Sequence, residues 1–200
     1  MIIFSNIKEH VLSMLAANLP PSLTYHDVNH TADVATQCSI IAKEEGITDE
    51  PTLLNLQIAG LYHDTGFLSQ YKGHEEKSCA LARKELPGFG MNNEAINAVC
   101  ELILVTKIPH QPKNILQQII CDADLDYLGR EDFFTISEKL RKEFMAYKIV
   151  QSEEEWEKSR ITFLQLHSYF TKSSQQRRNP QKHFYLNQLI KVEEYKSQSK

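Results

Sequence analysis

Apolar residues recur at three- and four-residue spacing along nearly the whole of this 200-residue chain, and strict period-two alternation with β-branched enrichment is hard to find. Such a pattern gives each segment one apolar stripe and offers no face to a sheet, so the expected class is all-α, a single-domain helical bundle. Seven glycines and seven prolines are few enough to act as punctuation. A first helix is expected over residues 5–18, stopped by Pro20-Pro21. A second is expected over 24–46, opened by Thr24 and Asp27 as a capping-box-like pair. Further helices are expected over 50–63, 74–86, 93–107, 115–128, 131–149 and 153–170, and from about Pro180 onward. No repeat or low-complexity linker divides the chain. One domain over 1–200 is therefore expected, with its chemistry in a core of about residues 24–130. The helical extension, 131–200, is expected to cover that core or a homo-oligomer surface.

A chain of this length buries enough apolar surface to fold without disulfides or a structural metal, so any metal is free to serve chemistry. The formal net charge of −4 gives no electrostatic reason to expect nucleic-acid or anionic-membrane binding, and leaves small phosphorylated substrates open. No apolar stretch is long enough to span a bilayer and the amino terminus lacks the pattern of a secretory signal, which predicts a cytoplasmic protein. Cys38, Cys79, Cys100 and Cys121 never form a Cys-x-x-Cys pair and sit among apolar residues, as small core residues do. Arg177-Arg178 reads first as a solvated turn and second as a phosphate contact.

The informative feature is the histidines: five of the eight lie between residues 26 and 110. In "YHDVNH", His26 and His30 are four apart, hence on one face of a helix, where they are able to serve one site. The apolar run Leu56–Tyr62 ends in His63-Asp64. Burying the Asp64 carboxylate costs several kcal/mol unless a cation or hydrogen bonds meet it, and a metal ion supplies the charge. The competing use of Asp64 is to cap the Thr65-Gly66 turn. Ala59 and Gly60, lacking bulk, would let the helix bearing His30 come close. In "IICDADLDYL", Asp124 interrupts a stripe of Ile120, Cys121, Tyr127 and Leu128, whereas Asp122 aligns with Gln118 and Asp126. Asp124 is therefore the preferred ligand and Asp122 the alternate, with Asp122 and Asp126 expected beside the site or in solvent.

Imidazole with carboxylate suits a divalent transition metal such as manganese, iron, zinc or nickel. An ion of this kind brings a bound water near neutral pKa and draws charge from a phosphoryl oxygen.

Taken together, "YHDVNHTADV", "AGLYHDTGF" and "CDADLDYLG" resemble the HD superfamily of metal-dependent phosphohydrolases, over about residues 24–130. The resemblance implies a helical bundle whose ligands are His30, His63, Asp64 and Asp124, with Asp64 also taking part in the chemistry. "YHDVNHTADV" is also similar to the start of cyclic-nucleotide phosphodiesterase catalytic domains, which implies His26 as the acid that protonates the leaving oxygen. The chain departs from those enzymes after His63-Asp64, where it reads Thr65-Gly66-Phe67, and "GLYHDTGF" followed by "GHEEKS" looks closer to small bacterial HD proteins. His74 and His110 are candidate ligands of a second metal, against a helix start and a loop as their ordinary uses. Lys107 is a candidate substrate-phosphate contact, against an ordinary charge in a last helical turn. The function expected is hydrolysis of a phosphomonoester or phosphodiester, with a nucleotide as the favoured class. The alternatives are a catalytically silent metal- or nucleotide-binding regulatory module and a di-iron oxygenase on the same scaffold.

Overall fold

A computed structural model describes residues 2–198, and among them helices are the only regular elements. The nine α-helices are α1 (Ile2–Asn18), α2 (Val28–Glu44), α3 (Glu50–Tyr62), α4 (His74–Glu85), α5 (Asn93–Leu104), α6 (Ile115–Asp124), α7 (Phe133–Ala146), α8 (Glu153–Leu166) and α9 (Lys172–Gln198). Short 3₁₀ turns at Thr65–Leu68, Leu86–Phe89 and Asp126–Gly129 follow α3, α4 and α6. No helix of the described residues is long and apolar enough to cross a membrane.

Side-chain caps set most helix starts. Asp49, Asn92, Asn114 and Ser152 each accept a backbone N–H in the first turn of α3, α5, α6 and α8. The capping-box expectation for α2 is corrected: Asp27 is itself the N-cap, accepting from the N–H groups of Asn29 and His30, while the Thr24 hydroxyl donates to the Lys139 carbonyl. His26 thus precedes the helix instead of sharing its face with His30. The expected start of the last helix at Pro180 is corrected too. The Thr171 hydroxyl accepts the Ser174 N–H, α9 begins at Lys172, and Pro180 lies inside it. The missing proline N–H is tolerated because the flanks are anchored, by Arg177 and Arg178 before it and by the buried Tyr185 and Leu189 after it.

Two apolar clusters result. The first joins the inner faces of α1 to α6, through Ile7, Val11, Leu15, Ile41, Leu56, Leu61, Ile103 and Ile120. The second gathers Leu125, Tyr127, Leu128, Phe133, Leu164, Tyr169, Tyr185 and Leu189, and so ties the end of α6 to the C-terminal helices. All four cysteines are buried free thiols.

Candidate metal centre

Two close helix contacts bring the donors together. A Cβ at Gly60 would lie 2.8 Å from the Ala35 Cα, so only glycine lets α3, with His63 at its end, pack onto α2, which carries His30. A Cβ at Gly66 would lie 1.8 Å from the His74 carbonyl oxygen, so the turn after Asp64 makes room for the start of α4. The Gly66 N–H donates to the Ser78 hydroxyl, which donates onward to the His63 carbonyl, fixing that turn. Asp64 does not cap the turn through its side chain.

His30 Nε2, His63 Nε2 and Asp124 Oδ1 form a triangle with sides of 3.3, 3.2 and 3.4 Å. Donors ~2.0–2.1 Å from a common tetrahedral centre are separated by ~3.3–3.4 Å, so these three are already spaced to hold a metal ion. Asp64 Oδ2 lies 3.1 Å from His63 Nε2 and 3.3 Å from His30 Nε2. The His63 Nδ1–H is directed at the Gly60 carbonyl, 2.8 Å away, which leaves the lone pair of Nε2 facing inward. Asp64 Oδ2 is accordingly a buried oxygen with no hydrogen bond. A cation among these four groups satisfies it, so the residues fit a divalent ion.

The electrostatics agree. Burial disfavours charge on His30, yet Asp124 and Asp64 lift its pKa to about 9. Against the same burial, the two carboxylates raise His63 well above its ordinary value, while the imidazoles hold the Asp64 and Asp124 carboxyls low. Without an ion, protons on the imidazoles supply positive charge between the carboxylates; a divalent ion would supply it in their place.

The other residues singled out by the sequence divide into three sets. His26 stands near the donors, its ring centroid 5.8 Å from that of His30. His26 Nδ1 pairs with Glu143 of α7, whose other oxygen accepts the N–H groups of Tyr25 and His26 at 2.9 and 3.1 Å. The Tyr71 hydroxyl donates to Glu143 Oε1 at 3.0 Å. Burial would raise the fully buried Glu143 carboxyl, but these donors, His26 first, hold it below the usual glutamate range. Glu143 was not foreseen, because a single glutamate in a helix 117 residues from His26 leaves no spacing signal.

His74 Nδ1 lies 3.0 Å from the Tyr71 carbonyl and so carries a proton there, presenting Nε2 to Asp64 Oδ1 at 3.2 Å. His110 Nε2 lies 3.0 Å from the Thr106 carbonyl, which assigns that nitrogen a proton, and 3.9 Å from Asp124 Oδ2. Lys107 pairs with Glu76 at 2.8 Å, both more than half exposed.

Asp122 and Asp126 are not in solvent: both are fully buried, more so than Asp124. Asp122 accepts the N–H groups of Phe170 and Thr171 and the Thr171 hydroxyl. Asp126 is gripped by Arg178 through two bonds of 2.8 and 2.7 Å, and by Arg177 at 3.2 Å. The solvated-turn expectation for Arg177-Arg178 is thereby corrected. The chain after residue 167 folds back over the end of α6 and buries both carboxylates beside Asp124, so of the two settings expected for them solvent is excluded.

Two cavities meet the donors, sharing Tyr25, Asp124 and Tyr127. One of about 260 Å³ is lined by His30 and the charged Asp27, Asp33, Arg130, Asp132 and Lys139. The other, about 510 Å³, contains His26, Asp64 and His74 at its head and runs toward α7 and α8.

The HD domain family matches residues 27–126, half of the chain. The search of curated proteins gives no matching relative. Among solved structures, the fold resembles Bacillus subtilis YpgQ, which was crystallised in complex with ADP, with a TM-score of 0.66 and 17% identity over 96% of each chain. It also resembles a predicted HD superfamily hydrolase from an uncultured Thermotogales bacterium, with a TM-score of 0.61 and 18% identity over 96% of this chain and 92% of that one.

Proposed function

This chain belongs to the HD-domain family, and on that premise we propose that it is a metal-dependent phosphohydrolase, cleaving a phosphomonoester or phosphodiester with water. The observation that carries the reading is the donor triangle of His30, His63 and Asp124 with the unsatisfied Asp64 oxygen beside it, at the head of a cavity that also contains His26. A divalent ion bound there, manganese, iron, zinc or nickel, supplies a Lewis acid for a phosphoryl oxygen and makes water more acidic.

The chain's own residues do the rest. His30, His63, Asp64 and Asp124 hold the ion, and the Gly60 carbonyl fixes the tautomer of His63. With Nδ1 turned to Glu143, His26 gives a proton from Nε2 to the leaving oxygen as the phosphorus–oxygen bond breaks. Glu143 orients the imidazole, and Tyr71 steadies Glu143. Water forms the new bond to phosphorus and its proton replaces the one His26 gave, so the products are a phosphate and an alcohol. In this reading the core of residues 24–130 and the extension 131–200 work as one unit, since Glu143 lies in the extension. One ion is favoured over two, and hydrolysis over di-iron oxygen chemistry, because the His110 nitrogen nearer the donors is engaged with the Thr106 carbonyl. Lys107 adds charge at the cavity rim. The ADP complex of YpgQ makes a nucleotide the first substrate class to try. A cytoplasmic location is consistent with four buried free thiols.

The test is metal content of the purified protein together with hydrolysis of a panel of nucleotides and simple phosphate esters, for wild type, His63→Ala and Asp124→Asn. Metal and turnover in wild type, both lost in the variants, is the expected result. Metal retained by both variants means that the site lies elsewhere.

A further inference from the structure

The larger cavity narrows the organic half of the substrate, an inference that rests on the phosphohydrolase reading. Its head is polar, but beyond the donors the walls are rings and alkyl groups, among them Phe67, Leu128, Leu140, Phe144, Trp156 and Phe163. No asparagine or glutamine lines it, and its carboxylates, Asp64, Glu75 and Asp124, belong to the head or its border with α4. Of the few deep polar side chains, Arg160 Nη1 donates to the Ser137 hydroxyl at 3.3 Å and Nη2 pairs with Glu157, while the buried Arg160 Nε has no hydrogen-bond partner. At its border stand Ile108 and Ile149, 58% and 48% exposed, so the apolar lining continues to the surface. A volume of about 510 Å³ admits two or three fused rings with space left for a phosphate at the head.

We propose that this cavity takes the organic half of the substrate as an aromatic alcohol, held mainly by ring and alkyl contact. Phosphate esters of plain aromatic alcohols are then better substrates than nucleotides or sugar phosphates. A ribose or a base edge placed against these walls would lose its water partners and gain few in return, whereas a naphthyl ring loses nothing. Ring faces on several sides also allow offset and edge-on stacking.

The experiment uses the metal-loaded full chain. First, kcat/KM is compared for 1-naphthyl phosphate, AMP and glycerol 3-phosphate, with about a tenfold or greater advantage expected for the naphthyl ester. Second, Trp156 is the chain's one tryptophan and lies in the cavity wall, so its fluorescence reads occupancy without turnover. Saturable quenching by 4-bromophenol is expected, weakened about fivefold or more in Leu140→Gln, which sets a polar amide into the wall. Equal or faster turnover of AMP or glycerol 3-phosphate overturns the proposal, as does an absence of saturable quenching in wild type. If no ester is cleaved while 4-bromophenol still quenches saturably, the hydrolase reading falls and the cavity's preference for aromatic alcohols stands.

Discussion

The apolar cluster shared by α1 to α6 and the one that binds the end of α6 to the C-terminal helices serve the candidate site differently. The first brings His30 and His63 together by close backbone contact at Gly60, in the half of the chain that the family match covers. The second delivers no ligand. It carries Glu143 to His26, supplies the deep walls of the larger cavity, and buries the carboxylates on either side of Asp124. The contrast teaches that the ability to hold an ion and the ability to use it come from separate parts of the sequence, so each should fail without the other.

The strongest way to break this division is at the donors. His63→Ala and Asp64→Asn are each expected to abolish metal retention and lower turnover at least ~1,000-fold, checked by metal analysis and steady-state kinetics. Next in size, Glu143→Gln should keep its metal while kcat falls about 100-fold, because His26 loses the carboxylate that orients it. Loss of metal in that variant would merge the two functions again. The same variant carries a pH signature. The Glu143 carboxyl lies below its ordinary 4.5 in the folded chain, so its contribution to stability is complete above 4.5 and drains away as pH falls through the folded value. The stability gap between wild type and Glu143→Gln, read by denaturant unfolding, should therefore be widest above pH 4.5 and close below it.

A smaller effect is expected at the clamp. Arg178→Ala removes two bonds from the buried Asp126 and should cost about 2–3 kcal/mol in unfolding, with metal affinity down about tenfold through displacement of Asp124. Asp122→Asn should likewise destabilise by about 1–3 kcal/mol yet leave metal in place, which separates it from Asp124→Asn. The smallest effect belongs to Lys107→Ala. Its pair with Glu76 is solvent-screened, so both stability and turnover are expected to change less than about twofold.

The fold class was legible because helical periodicity and capping residues are local, and Asn92, Asn114 and Ser152 start helices where the pattern begins. The small residues at Ala59-Gly60 also announced close packing, and Gly60 does meet α2. What the sequence withheld depends on long-range return of the chain. Whether Asp122 and Asp126 lie beside the site or in solvent cannot be read from α6 alone, and their burial is made tolerable by Phe170, Thr171, Arg177 and Arg178. His26 was grouped with His30 by helical spacing. Asp27 instead starts the helix after it, and Glu143 from α7 sets its orientation. Asp64 illustrates the opposite case: its position after an apolar run already implied a buried charge in need of a partner.

The clamp on Asp122 and Asp126 has a temporal side. A ribosome makes α6 well before residues 170–178, so during synthesis Asp124 exists for a time without the segment that fixes its neighbours. The packing that fixes the end of α6 is therefore complete only once the last helix has been made, which places the ordering of Asp124 among the final events of folding.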